Sequence, residues 1–176
     1  MKKISVRMIV HLALFISIDI VLTRFVAPLY SQWMRISLSF IPIAMCAIMY
    51  GPVWAAFVGC MADFIGFWLN PIGAYYPPLL ITIILNAINY WFWLNPKASP
   101  GIVSTTCAAA VSSFILSLGL QTLWLSMLYT SPYLPMFYTR IFQAVVVFGL
   151  QSLFLPLLVK VIERLNRQFG FYQAGA

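Results

Sequence analysis

Along this chain the apolar residues form runs long enough to count as units, and polar residues are sparse enough to name one by one. Six runs stand out, at about Val6 to Val26, Ile36 to Tyr50, Val53 to Leu69, Pro78 to Leu94, Ile102 to Leu128 and Tyr138 to Ile162. Most approach the ~20 residues that a helix needs to cross ~30 Å of hydrocarbon while satisfying its own backbone hydrogen bonds. No set of ten-residue stretches alternates with period two, which argues against a β-barrel. The pattern predicts an all-α membrane protein with six transmembrane helices, forming a single domain over residues 1–176. The second run is short, but Tyr50-Gly51-Pro52 is a strong turn signal, so it is read as a helix separate from the third. The fifth is long enough to tilt or to project past the bilayer.

Composition supports that reading. The chain is 63% hydrophobic and 7% charged, against about 25% charged in a typical soluble domain. Met1-Lys2-Lys3 followed by an apolar run resembles a signal peptide, but the run is too long and no small-x-small cleavage site precedes Arg24, so it is kept as a permanent first helix. Placing both termini in the cytoplasm puts Lys2, Lys3, Arg7, Lys97, Lys160, Arg164 and Arg167 inside and leaves Arg24, Arg35 and Arg140 outside, as the positive-inside rule favours. The net charge of +7 then serves mainly to anchor the protein against anionic lipid, and gives no argument for nucleic acid.

The three outside arginines stand at or near helix ends, and the outer loops contain no acid to pair with them. One such arginine is an ordinary headgroup anchor, whereas three unpaired on one side look like a site for an anion. Within the spans, Asp19, Asp63, Gln121, Arg140 and Gln143 fall in the outer halves and Asn86 near the middle. The inner halves hold little beyond His11, Asn89, Ser104, Thr105, Thr106 and Ser152. That distribution suggests a pocket open to the exterior and closed below; the alternative is that each polar group simply bonds a neighbouring helix. Asp63 draws most attention, because an acid inside a span is costly. Tyr75 and other outer-loop aromatics add stacking surface, stiffened by neighbouring prolines.

Several chemistries find no support. There is no nucleotide-cradling G-x-x-x-x-G-K-[ST] loop and no H-E-x-x-H, and the lone His11 cannot by itself hold a metal, so neither a cofactor nor a metal is expected. Cys46, Cys60 and Cys107 are odd in number, widely spaced and within spans, and read as small packing residues.

The run from Arg35-Ile36-Ser37 to Pro42, then Gly51-Pro52-Val53-Trp54, Gly59, Asp63, Gly66, Pro71, Gly73-Ala74-Tyr75 and Pro77, resembles the substrate-binding S components of energy-coupling factor vitamin transporters, most of all the folate-specific members. It departs from that pattern at Ala55-Ala56 after the tryptophan, and at Pro78, where glycine would be usual. The resemblance implies an S-component-like bundle in the bacterial plasma membrane that captures a vitamin from outside. It implies no ATPase of its own, and partnership with a transmembrane coupling subunit and two cytoplasmic ATPase subunits. It further implies small residues on the first helix facing the coupling subunit, where Ala13 and Ser17 share one face; the alternative is packing inside the bundle. Folate suits the inventory, with tail carboxylates for Arg24, Arg35 and Arg140, and a flat pterin whose N–H donors match an acid. Asp63, Gln121, Gln143 and Tyr75 are assigned to the ring end or its walls, with Asp19 as another acceptor. Rival readings are an S component for a different nutrient, or a ligand-free structural membrane protein.

Overall fold

In the computed structural model the described residues are 6–26, 38–69, 76–94 and 101–169, and nearly all of them are helical. They form six rods. α1, Val6–Val21, runs into a π-helical turn, Leu22–Val26. Next come α2, Phe40–Tyr50, α3, Pro52–Leu69, and α4, Pro78–Trp93. α5, Ile102–Tyr129, is π-helical in its middle at Val111–Gln121, and α6 spans Tyr133–Phe169.

The breaks fall where the backbone chemistry requires them. Gly51 has φ +95°, a conformation that side-chain-bearing residues rarely adopt, and Pro52 opens α3 at a position where its missing N–H costs nothing. α5 ends at Thr130, which is left-handed at φ 50°, and α6 starts three residues later.

Two helices depart from the hydrophobic pattern. Among the described residues α2 begins at Phe40, after Leu38 and Ser39, so that Pro42, lacking a donor, falls in the first turn where it is tolerated; the Ile43 N–H accordingly reaches back to the Ser39 carbonyl at 3.4 Å. At 11 residues it is roughly 16 Å long, the shortest of the rods. It contributes heavily to the core, with Phe40, Pro42, Ile43, Ala44, Cys46, Ala47 and Ile48 all buried. α6 overruns its expected start and end, since Glu163, Arg164 and Arg167 end the apolar run without ending the helix. Charged residues of this kind are good helix formers.

Four helical stretches are long and apolar enough to cross a membrane, Val6–Arg24, Pro52–Leu69, Ile102–Tyr129 and Tyr133–Arg164, whereas α2 and α4 are shorter. Length and composition thus mark four of the six rods as candidate spans. The class itself is plain from the way the bundle is turned. α1 points Met8, Leu12, Phe15 and Asp19 inward and leaves Val6, Val10 and Leu14 at 76%, 60% and 54% exposure. α3 and α6 do likewise with Val53, Trp68, Phe142 and Leu153. Apolar exposure on every side is an outer surface suited to lipid.

Side-chain bonds fix the alternation of the rods. His11 Nδ1 lies 2.5 Å from the Tyr50 hydroxyl, joining the start of α1 to the end of α2. Asn89 Nδ2 donates to the Ala108 carbonyl at 3.0 Å, and the Ser104 hydroxyl donates to the Trp93 carbonyl, so α4 and α5 run antiparallel. The ends of α1, α3 and α5 and the starts of α4 and α6 therefore share one end of the bundle.

Candidate functional site

That shared end carries two separate polar groupings. The first is built on α1 and α3. Arg24, in the π-helical turn closing α1, pairs with Asp63 of α3 through Nη2 and Oδ1 at 3.1 Å, and the same nitrogen lies 3.4 Å from the Asp63 carbonyl. The arginine side chain is only 4% exposed and the aspartate 37%. Gly66 makes room for it. A Cβ there would stand 2.9 Å from Arg24 Nε and 3.4 Å from its Cγ, so the guanidinium stem lies directly across the glycine. Gly59, one turn before Asp63 on the same face, brings α3 against α2 and α4, since a Cβ would fall 2.5 Å from Ile83 Cγ2 and 3.3 Å from Ile43 Cδ1. The four- and three-residue spacing of Gly59, Asp63 and Gly66 is thus one helix face with two close approaches and an acid between them. Asp19, on the inward stripe of α1, is buried beside this pair.

The second grouping is built on α5 and α6. Arg140 is 2% exposed and lies in the first third of α6. Its Nη1 donates to Thr122 Oγ1 at 3.0 Å, its Nη2 to Gln121 Oε1 at 3.3 Å and its Nε to Gln143 Oε1 at 3.3 Å. Every one of these acceptors is neutral. Among the described residues no carboxylate reaches Arg140, and the one ion pair is Arg24 with Asp63.

Deeper in the bundle lies a third polar set. The Tyr90 hydroxyl is 2.9 Å from Ser112 Oγ, Gln151 Nε2 donates to both at 3.2 Å, and Ser112 Oγ donates to Asn86 Oδ1 at 2.8 Å. Its members satisfy one another, as buried polar groups must. Beyond it the core closes on Leu94, Ala108 and Leu155, all at 0% exposure.

The expectation of three unpaired arginines therefore needs correcting at Arg24. Its acid came from within a span, which a search of the loops could not find. Arg24 and Asp63, assigned to opposite ends of a ligand by sequence, are each other's partners. Gln121, Arg140 and Gln143 do converge, joined by Thr122, which the sequence reading missed although it follows Gln121 directly. Tyr90, Ser112 and Gln151 were missed as well, since nothing local marks them. Asn89 takes the plain role of bonding a neighbouring helix. Ala13 and Ser17 are both exposed on the outer face of α1, the Ser17 hydroxyl donating to the Ala13 carbonyl at 2.9 Å. Arg35 and Tyr75 lie outside the described residues.

Fold and site together define a multi-pass helical membrane protein with buried charge gathered at one end. Comparison with known proteins makes the class specific. A folate transporter FolT of Clostridium novyi (strain NT) is 30% identical over 167 residues, covering 94% of each chain. Another, from Leuconostoc mesenteroides subsp. mesenteroides, is 27% identical over 129 residues, 72% of this chain and 68% of that one. This chain belongs to the FolT family. A crystal structure described as FolT bound with folic acid shares the fold, with a TM-score of 0.82 at 23% identity over 89% of this chain and 95% of that one. No protein-family model matches the chain.

Proposed function

We propose that the chain is a folate-binding S component, taking the vitamin at the end of the bundle that carries Arg24 and Arg140. In this reading both termini are cytoplasmic, that end faces outward, and the protein resides in the bacterial plasma membrane. It has no ATPase of its own, and hands folate to a transmembrane coupling subunit driven by two cytoplasmic ATPase subunits. Relatives described as folate transporters support the choice of ligand. The observation that carries it is Arg140, a buried guanidinium whose hydrogen bonds all go to neutral oxygens. A buried charge is stable only when compensated, and a carboxylate of the glutamate tail supplies the missing anion in a bidentate geometry that guanidinium suits. Gln121, Thr122 and Gln143 hold the fork in place before the ligand arrives.

The exposed positions of Ala13 and Ser17 support contact with the coupling subunit, as close helix approach needs small side chains. The test is reconstitution. Vesicles holding only this chain bind folate saturably without accumulating it, and adding the coupling module gives ATP-driven uptake. Trp at position 13 or 17 abolishes that uptake and leaves binding intact. Absence of folate binding, or uphill transport by the chain alone, would sink the reading.

A further inference from the structure

The middle of α5, Val111–Gln121, is π-helical over 11 residues, whereas π winding mostly appears as single turns inside α-helices. Contacts with α6 lie near both ends of this stretch. Toward its start Ser113 Oγ, on a residue 0% exposed, donates to Gln151 Oε1 at 3.4 Å. At its end Gln121 Oε1 accepts from Arg140 Nη2 at 3.3 Å, and Thr122 Oγ1 accepts from Arg140 Nη1 at 3.0 Å. Ser117, between them, donates to the same Gln121 Oε1 at 3.3 Å. On α6 Arg140 and Gln151 stand about three α-turns apart and so share a face. On α5 Thr122 is nine positions after Ser113. At ~3.6 residues per turn those positions make about two and a half α-turns, which would put the two hydroxyls on opposite sides of the rod. The i→i+5 winding takes about 4.4 residues per turn, so the same stretch closes about two turns and returns Thr122 to the side of Ser113.

We infer that the π winding of α5 is a positioning device: it sets the register in which Gln121 and Thr122 meet Arg140 while Ser112 and Ser113 stay bonded to Gln151. Ser113 and Gln151 are then positioning residues for a guanidinium they do not touch. This rests on the proposed reading of Arg140, and adds to it the part of the chain that keeps its acceptors in place. The deep polar set is the fixed end. Ser112 Oγ is bonded to Tyr90 and Asn86 of α4 and to Gln151 of α6, so both neighbours grip α5 there. The winding beyond that point decides which side of α5 reaches Arg140. An α-wound α5 gripped at the same place would turn Thr122 away from the arginine and leave a buried cation short of acceptors. Two π-turns and two α-turns end at nearly the same place, so about seven α-wound positions do the work of nine π-wound ones.

The experiment shortens the segment by one residue or by two. Ile115, 62% exposed, is deleted alone, or together with Gly119, which carries no side chain. The single deletion leaves a spacing that neither winding closes in whole turns, whereas the double deletion leaves one that α winding closes in about two. The double deletion is therefore expected to melt above the single one, and to bind folate within about threefold of wild type. The single deletion should lose at least about tenfold for folate, and less for pteroate, which lacks the glutamate tail. A segment that only fills space predicts the reverse order, two missing residues doing more harm than one. That order overturns the inference, as do two deletions that are equally harmful or equally silent. Gln151→Met probes the fixed end without changing the length of α5: folate should weaken by at least about threefold, and the loss should vanish where Arg140→Met is already present. A loss of the same size in both backgrounds overturns the positioning role. Wild type that binds no folate overturns the functional reading, and the order of melting temperatures still decides the winding.

Discussion

Arg24 and Arg140 are both buried arginines at one end of one bundle, but they occupy opposite electrostatic settings. Arg24 lies against the carboxylate of Asp63, over a glycine that gives it room. Arg140 is wrapped in an alcohol and two amides. The first arrangement sets the cation against an acid of the chain. The second positions a cation without neutralising it. Burial alone would rank the two alike, and it is the charge of the partners that separates them, which is why the proposed ligand contact is placed on Arg140.

The strongest way to break this comparison is to remove each guanidinium in turn. Truncating one partner of a desolvated, hydrogen-bonded charge pair costs about 2–5 kcal/mol, or roughly 30-fold to several thousand-fold in affinity. Arg140→Met should therefore weaken folate by that range in equilibrium binding, and weaken pteroate, which lacks the glutamate tail, much less. Arg140→Lys should recover only part, because an ammonium keeps the charge but not the planar fork. Arg24→Met should affect folate and pteroate alike, through the fold. A tail-selective loss at Arg24, with none at Arg140, would reverse the assignment.

The contrast was only half legible in the sequence. Helix number and most boundaries follow from run length, and Asp63 announces itself as an acid inside a span. Its partner does not, because Arg24 lies 39 residues away and no local spacing encodes a contact between two helices. The Gly59, Asp63 and Gly66 pattern was visible as a pattern, but its reason appears only once Arg24 is seen lying over Gly66. Thr122 and Gln151 look like ordinary helix residues until α6 and α5 are set side by side. The start of α2 was less legible, because the hydrophobic run gives no sign that Pro42 falls in the first turn of the helix.

A smaller effect sharpens the α1–α3 side. Asp63→Asn leaves Arg24 buried without its carboxylate. The cost should fall between the ranges for exposed and buried pairs, at about 1–3 kcal/mol, because Asp63 is partly exposed. Thermal unfolding in detergent reads it directly, and replacing both residues by apolar ones should recover part of the loss. An unchanged melting temperature would mean that the pair contributes nothing to stability.

The two glycines of α3 then separate packing from charge. Gly59→Ala drives a methyl to 2.5 Å from Ile83 Cγ2, a branched side chain with little freedom to retreat, so overpacking should cost about 1–3 kcal/mol. Ile83→Ala should rescue it. No change at Arg24 should.

Gly66→Ala should show the smallest effect and the most informative one. The added methyl would meet Arg24 Nε at 2.9 Å and Cζ at 3.6 Å, so a guanidinium on a flexible stem must shift by a few tenths of an ångström, loosening its bond to Asp63. Against that loss stands a gain, because alanine is better than glycine inside a helix by about 1 kcal/mol. The two effects nearly cancel in the wild-type background, giving a net change within about 1 kcal/mol. Removing Arg24 removes the clash and leaves the gain. Gly66→Ala should therefore turn stabilising in an Arg24→Ala background, by about 0.5–1 kcal/mol, as measured by thermal unfolding of the four proteins of the cycle. If the methyl changes stability equally with and without the arginine, Gly66 is not the seat of Arg24.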